Sequence, residues 1–419
     1  MIPTNLKGYL RALAFCIPSL LSNLPAVAQT RSFVGEGVVD ARTFDFSSSK
    51  MALNGDWDFY PQKFLTQDDL ANHHPVALMV PSLWNAESGV TNVGFGTYAL
   101  MIILPPGERN WALEIPQLYN SYDLYADGVL IGKNGQPSSA KETSQPEWRP
   151  QVVPLKANGD TTRIILHVSN FHHFKGGIRE PIFFGPQKSL ESKFNTAIAV
   201  VLIEVGVLVI IAGFFLFIYL RGSRPRIAIY FSILCLSWAL RELFSDLYPV
   251  STLFPGINWF FMVRMEYAML FSMTISGVLF INQLFRDLTS EIFKYLIVFI
   301  SVVYLFFIIL VPVIVFTRWL PLYMLTALAV LVYAAVSVVR AMILEKTGAW
   351  FLIGGLILSI VALGYDMIAY RAALPNHIII GSICYTLIFL SFSIGLLQHL
   401  GVIRSNGGGN TLRYQDLYR

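Results

Sequence analysis

Seven long apolar runs fill the second half of this 419-residue sequence and place the strongest constraint on its fold. Each run has roughly the twenty residues that an α-helix needs to cross a bilayer. Only 13% of the residues are charged, against about a quarter in an ordinary soluble domain. The sequence therefore predicts an all-α bundle of seven transmembrane helices over residues 194–403, at Phe194–Leu220, Ile227–Tyr248, Trp259–Phe285, Ile292–Val311, Leu320–Val339, Ala349–Tyr370 and Ile378–Ile403.

Basic residues in the short connections predict which helix ends face the cytoplasm. Lysine and arginine concentrate after the first, third, fifth and seventh runs, whereas the alternate connections hold fewer. Positively charged loops remain on the cytoplasmic side. The amino terminus would then lie outside the cytoplasm and the tail at 404–419 inside it. The basic residues that support this prediction are Arg221, Arg224, Arg226, Arg286, Lys294, Arg340, Lys346, Arg404 and Arg413.

The first 28 residues have the pattern of a secretory signal peptide. Lys7 and Arg11 precede an apolar stretch, and Ala26–Ala28 forms a small-x-small cleavage site. Residues 29–193 would be exported, which predicts a membrane protein with its amino-terminal domain outside the cytoplasm. That domain has no cysteine, so its own core must stabilise it without a disulfide.

Residues 29–193 have the pattern of an all-β domain. Short apolar or alternating runs recur between turn signals, without a sustained helical period. Asp127-Gly128 and Asn158-Gly159 favour the positive φ angles of tight hairpin turns. These features predict a sandwich or jelly roll, with strands at Asp56–Tyr60, Val76–Val80, Thr97–Leu104, Trp111–Ile115, Tyr122–Ala126, Val129–Gly132, Arg163–Ser169 and Pro181–Phe184.

Several motifs of this domain resemble a known family: Leu53–Tyr60, Val80–Trp84, Gly96–Pro105, Ser121–Gly128 and Ser169–Gly177. In this order and spacing they are similar to the type 2 extracellular domain of bacterial seven-transmembrane receptors with diverse intracellular signalling modules. The seven-helix region resembles the rest of such a receptor. That domain type is similar to the galactose-binding-like jelly roll of family 2 glycoside hydrolases. The resemblance implies a receptor of the bacterial inner membrane with its amino-terminal domain in the periplasm and, by analogy, a carbohydrate-like ligand. No catalytic motif fits in the residues after the seventh run, so the sequence predicts no enzymatic activity.

A sugar site combines aromatic faces with a few converging hydrogen-bonding groups. Trp57 and Trp84 occupy positions where a bulky ring normally fills a sandwich core, so core packing is favoured for both. The adjacent His172 and His173 lack further ligands at metal-binding spacing, so the sequence predicts no metal and no cofactor. Both histidines fit a ligand-facing loop, and a plain solvated loop is the alternative. The candidate ligand-binding residues are Tyr119, Asn120, Trp148, His172, His173 and Arg179.

Charged residues inside the apolar runs are costly in a bilayer and mark candidate functional positions. All of them fall nearer the predicted outer side, so we expect a polar cluster there, with Glu204 or Glu266 paired to Arg241 or Arg264. The alternative for several of them is snorkelling to the interface. The residues are Glu204, Arg241, Glu242, Arg264, Glu266 and Asp366.

The predicted function is a receptor that passes a periplasmic signal inward. Related receptors continue into an enzymatic output module, whereas this sequence has only a short polar tail after the seventh run. We therefore predict that a separate cytoplasmic signalling protein is the partner. The alternative is that the sequence is a fragment of a longer receptor. The net charge of +4, without a basic stripe, excludes nucleic acid as a partner. An ion-coupled transporter and a membrane-anchored carbohydrate-related assembly factor remain as alternatives.

Overall fold

A computed structural model describes residues 34–402 except 48, 85–88, 108–109, 119–120, 157–158, 222–224 and 373–375, and leaves out the side chains of residues 366–372. The predicted leader, the tail, Tyr119 and Asn120 therefore lie outside the described residues.

The amino-terminal part is a β-sandwich. Its larger sheet has eight strands in the order β10-β9-β12-β7-β2-β1-β4-β5, and a four-stranded sheet has the order β11-β8-β14-β3. A small pair, β13-β6, completes it. The strands are β1 (Val34–Gly35), β2 (Val38–Asp40), β3 (Met51–Ala52), β4 (Gly55–Pro61), β5 (Val76–Val80), β6 (Ser82–Leu83), β7 (Gly94–Ile103), β8 (Asn110–Ile115), β9 (Ser121–Ala126), β10 (Val129–Asn134), β11 (Gln151–Lys156), β12 (Thr161–Asn170), β13 (Gly177–Ile178) and β14 (Phe183–Pro186).

Aromatic side chains fill the core between the two sheets. Trp57 and Trp84 are 1% and 2% exposed, so both pack in the core as the sequence favours. Trp111 stacks on Phe184 with the ring centroids 4.7 Å apart. Asp127 and Gly128 both take positive φ between β9 and β10, which confirms the predicted hairpin turn.

The remainder of the described chain is helical, with seven long helices. They are α1 (Gln187–Arg221), α2 (Arg226–Leu243), α3 (Trp259–Leu284), α4 (Glu291–Leu310), α5 (Val313–Ile343), α6 (Ala349–Ala372) and α7 (His377–His399). Five of them, α1, α3, α4, α5 and α7, are long and apolar enough to cross a membrane. Helix α2 carries Arg226, Arg241 and Glu242, and the part of α6 with described side chains is apolar.

The sandwich and the bundle are joined without a linker. Strand β14 ends at Pro186 and α1 begins at Gln187. Helix α1 also contacts β8 and β11. A change in the orientation of α1 would therefore act directly on the sandwich. We call the helix ends that lie next to the sandwich the sandwich-proximal ends.

Candidate functional site between the sandwich and the bundle

Trp148 is buried where the sandwich meets the sandwich-proximal helix ends. Its side chain is 1% exposed. Ring centroids of Tyr248 and Trp259 lie 5.2 and 5.3 Å from its own, and that of His173 lies 5.7 Å away. The ring that the sequence offers to a ligand is therefore packed against protein, because it joins the two parts of the molecule.

His173 is also buried, at 1% exposure, in the loop after β12. The Asn170 side chain shapes this loop: its Oδ1 accepts from His173 N–H at 3.1 Å and its Nδ2 donates to the His173 carbonyl at 2.8 Å. The Lys175 N–H donates to His173 Nδ1 at 3.0 Å. Burial lowers the pKa of His173 to about 3, so its imidazole is neutral and structural near pH 7.

The same loop bonds directly to the bundle. Phe174 N–H donates to Thr317 Oγ1 on α5 at 3.3 Å. The Arg318 guanidinium lies 5.8 Å from the Phe174 ring centroid, within reach of a cation–π contact. The loop thus contacts α5 as well as the Trp148 cluster.

Charged side chains from both parts meet beside this contact. The Tyr248 hydroxyl donates to Glu266 Oε2 at 3.4 Å, and Arg241 Nη1 donates to Ser245 Oγ at 3.3 Å. The Arg241 and Arg179 guanidinium groups both act electrostatically on Glu266. Arg241 and Glu266 therefore share one cluster, and Arg179 of the sandwich belongs to it.

Glu180 belongs to the sandwich side of the same cluster. Burial raises its pKa to about 7; the nearby Arg179 opposes this shift and the Asp246 carboxylate adds to it. The junction therefore holds a carboxyl group that changes charge near neutral pH.

Two cavities open beside the junction, and we call them together the junction groove. Their volumes are about 340 and 560 Å³, and both are lined by Lys141, His172 and Phe260. The smaller adds Arg264 and the turn 310–314, and the larger adds Glu142 and Trp259. Of the sequence-predicted ligand residues, His172 lines both cavities.

His172 is fixed in this groove. Its Nε2 donates to the Ser144 carbonyl at 3.1 Å, and its ring meets Phe260 edge-on with centroids 5.5 Å apart. Burial lowers its pKa, so the neutral imidazole is favoured. It can present a ring edge to a ligand but carries little positive charge.

Arg264 does not make the expected pair with a glutamate. Its Nε donates to the Ile308 carbonyl at 3.0 Å, Nη1 to Phe260 at 3.2 Å and Nη2 to Val311 at 3.4 Å. Among the described side chains no carboxylate lies within 4.0 Å of it. Two carbonyls at the end of α4 and one on α3 accept three of its five N–H groups, and two remain for the groove.

The other predicted intramembrane charges lie apart from this groove. Glu204 is 1% exposed inside the bundle and forms no ion pair with any described side chain. Glu242 is 8% exposed on α2. The side chain of Asp366 lies outside the described ones. Within the described residues no group of three or more metal-ligating side chains is present.

No sequence pattern identified Lys141, Phe260, Glu180 or Asp246 as candidate site residues. One signal was available for Lys141, because residues 135–150 form a long connection between β10 and β11. Long connections inside a compact domain are usually functional. Phe260 had no such signal, since nothing local separates it from its lipid-facing neighbours.

Comparison with known sequences identifies the helical region. Residues 198–406 match the sequence model of a family described as 7TM diverse intracellular signalling. This helical region belongs to that family. The protein is thus a multi-pass membrane protein whose helical region matches a signalling family, and its amino-terminal part is a β domain. No curated protein shows significant similarity to the chain.

Solved structures of glycoside hydrolases share partial similarity with the chain. A GH2 β-galacturonidase from Eisenbergiella tayi bound to galacturonate is 17% identical, with a TM-score of 0.25, over 35% of this chain and 26% of that one. A β-D-glucuronidase from Dictyoglomus thermophilum is 17% identical, with a TM-score of 0.26, over 36% and 30%. The chain thus spans less than a third of either enzyme's length.

Proposed function

We propose that this protein is a non-enzymatic receptor of the bacterial inner membrane that binds a carbohydrate-like ligand in the periplasm and signals to a separate cytoplasmic protein. One observation carries the proposal: both parts of the molecule line the junction groove. Lys141 and His172 come from the sandwich, and Phe260 and Arg264 come from α3. A ligand there contacts both parts, so it favours the arrangement whose contacts it fits best.

The proposed topology follows the sequence. Residues 1–28 are the leader, 29–193 the periplasmic sensor, 194–403 the membrane domain and 404–419 the cytoplasmic tail. The sandwich-proximal helix ends then face the periplasm, and the basic loops at 221–226, 286–294 and 340–346 face the cytoplasm. Those loops are the proposed contact surface for the effector.

The groove has the chemistry of a sugar site. The rings of Phe171 and Phe260 offer faces for the apolar side of a pyranose. The Lys141 ammonium and the two remaining Arg264 N–H groups offer donors to hydroxyl or acidic groups. We therefore propose neutral and acidic saccharides as the first ligands to test.

The test is calorimetric titration of the full chain in lipid nanodiscs with a panel of saccharides. Phe260→Ala and Lys141→Gln are expected to weaken binding roughly three- to tenfold each, which corresponds to about 0.7 to 1.4 kcal/mol. Lys63→Gln is the matched control, because Lys63 is an exposed lysine that does not line the groove. Absence of binding across the panel would overturn the carbohydrate assignment.

The effector part of the proposal needs its own experiment. Crosslinking from the basic loops in membranes is expected to recover one cytoplasmic protein whose yield changes when ligand is added. Recovery of none, with and without ligand, would contradict a separate effector.

Ion-coupled transport is the second candidate, and the buried Glu204 favours it. Carboxyl groups inside helix bundles mark ion pathways in many transporters. Solute or proton flux through the purified protein in sealed vesicles separates the two functions, since a receptor produces none.

A further inference from the structure

Glu204 lies deep in α1, far from both helix ends. About ten residues separate it from Phe194, where the predicted membrane span begins, and at 1.5 Å per residue this is about 15 Å. Arg221 lies a further 25 Å or so along the helix in the other direction. The Glu204 side chain is 1% exposed. The carboxyl group is therefore inside the bundle and cannot reach an interface by snorkelling.

The neighbours of Glu204 come from α2 and α7, which both pack against α1. The Trp238 indole and the Ser382 hydroxyl lie beside its carboxyl group. Neither Oε1 nor Oε2 makes a hydrogen bond with them or with any other described atom, and the Trp238 N–H has no acceptor either. The Asp246 carboxylate acts on Glu204 electrostatically, and no described Lys, Arg or His side chain forms an ion pair with it. An ionised Glu204 would thus lack a countercharge and feel repulsion.

We propose that Glu204 is a proton-binding site within the membrane bundle. A carboxylate without a partner in an apolar interior binds a cation or becomes neutral. A metal ion needs several oxygen ligands, whereas these neighbours supply one oxygen, from Ser382, and an indole that only donates. A proton needs no further ligand, so it is the cation that fits.

The position of the site gives the proton a structural consequence. Helix α1 continues directly from β14, so Glu204 lies on the helix that connects the sandwich to the bundle. Loss of the proton would place a negative charge between α1, α2 and α7 and would favour an arrangement that admits water or a cation. The occupancy of the site and the packing of α1 are therefore linked.

Infrared spectroscopy of the full chain in lipid nanodiscs tests the proposal. The spectrum of the wild type minus that of Glu204→Gln at pH 7 is expected to show the C=O stretch of one protonated carboxylic acid. That band should persist to a higher pH than the acid bands of exposed carboxyl groups, and sodium or calcium should not change it. If the Glu204→Gln replacement removes carboxylate bands instead of an acid band, the proposal is overturned. It is also overturned if calcium or sodium abolishes the acid band.

Two variants keep the experiment interpretable. Glu114→Gln is the matched control, because Glu114 forms an ion pair with Lys50 at 2.7 Å and its replacement should remove carboxylate bands only. Glu204→Asp retains an acid at the same position and should give a shifted acid band even if Glu204→Gln does not fold. An aspartate that appears as carboxylate at pH 7 would count against the site.

Discussion

The sandwich core and the junction bury similar aromatic rings but treat the polar groups around them differently. In the core, Trp57 Nε1 donates to the Leu53 carbonyl at 2.9 Å and Trp84 Nε1 donates to the Tyr98 hydroxyl at 2.7 Å. At the junction, the Trp259 N–H has no acceptor among the described atoms. The junction also contains buried charged groups, such as the carboxyl group of Glu180.

This difference indicates that the two regions have different roles. A core in which both of these tryptophan N–H groups are bonded favours one arrangement strongly, because a shift breaks both packing and hydrogen bonds. The junction has an unbonded Trp259 N–H and the carboxyl group of Glu180, whose pKa is raised to about 7, so a rearrangement there breaks fewer hydrogen bonds. A ligand, a proton or a small shift of α1 can therefore select between arrangements there.

Trp57→Ala should have the largest effect and should be confined to the sandwich. Removal of a fully buried tryptophan leaves a large cavity, so we expect a loss of about 3–5 kcal/mol in the free energy of unfolding of the sandwich. Denaturant-dependent proteolysis of the full chain measures it. The exposed Val129→Ala is the control and should stay within about 0.5 kcal/mol. Equal losses in both variants would contradict the assigned core.

Trp148→Ala should have a smaller effect, because neighbouring polar groups and water can fill part of the space. We expect a loss of about 2–3 kcal/mol, below the range for a closed core. Hydrogen exchange should speed up at residues 171–178 and at the start of α3, while β4 and β7 keep their protection. Trp148→Phe should restore most of the protection. Faster exchange in β4 would show that Trp148 supports the core instead of the junction.

The sequence predicted the sandwich strands where their patterns were strong. Each of the eight predicted strands overlaps an observed one. Side chains of a strand alternate between its two faces, so the local sequence alternates between apolar and polar residues. Strand β11 was missed, since Pro154 in its middle cannot donate to a sheet. The structure places β11 at the edge of the four-stranded sheet, where that missing donor costs little.

The site was harder to predict than the fold, because its residues come from distant segments. Charged residues in apolar runs selected Arg241 and Glu266, and their role as a functional cluster stays a prediction. Local sequence could not show that Arg264 turns to the carbonyls of α4, nor that Trp148 packs on Tyr248. These contacts depend on how the sandwich sits on the bundle, and no single segment contains that information.

The smallest effect we predict is a pH dependence from His173. Its pKa is about 3 in the folded protein because of burial, against about 6.5 when unfolded. Below pH 6.5 the unfolded chain gains a proton that the folded chain does not, so the folded state loses stability as pH falls. The loss is about 1 kcal/mol between pH 6.5 and 5.5.

Glu180 opposes this dependence, so the measurement has to isolate His173. The pKa of Glu180 is raised to about 7. The stability that Glu180 contributes at acidic pH is lost as pH rises through that value. The unfolding midpoints of the wild type and His173→Gln should therefore be compared at pH 7.5 and 5.5, with Glu180 present in both. The glutamine variant should lose about 1.4 kcal/mol less on acidification over this range. The same pH slope in both proteins would show that His173 is solvated, and the junction would then be more open than the buried ring implies.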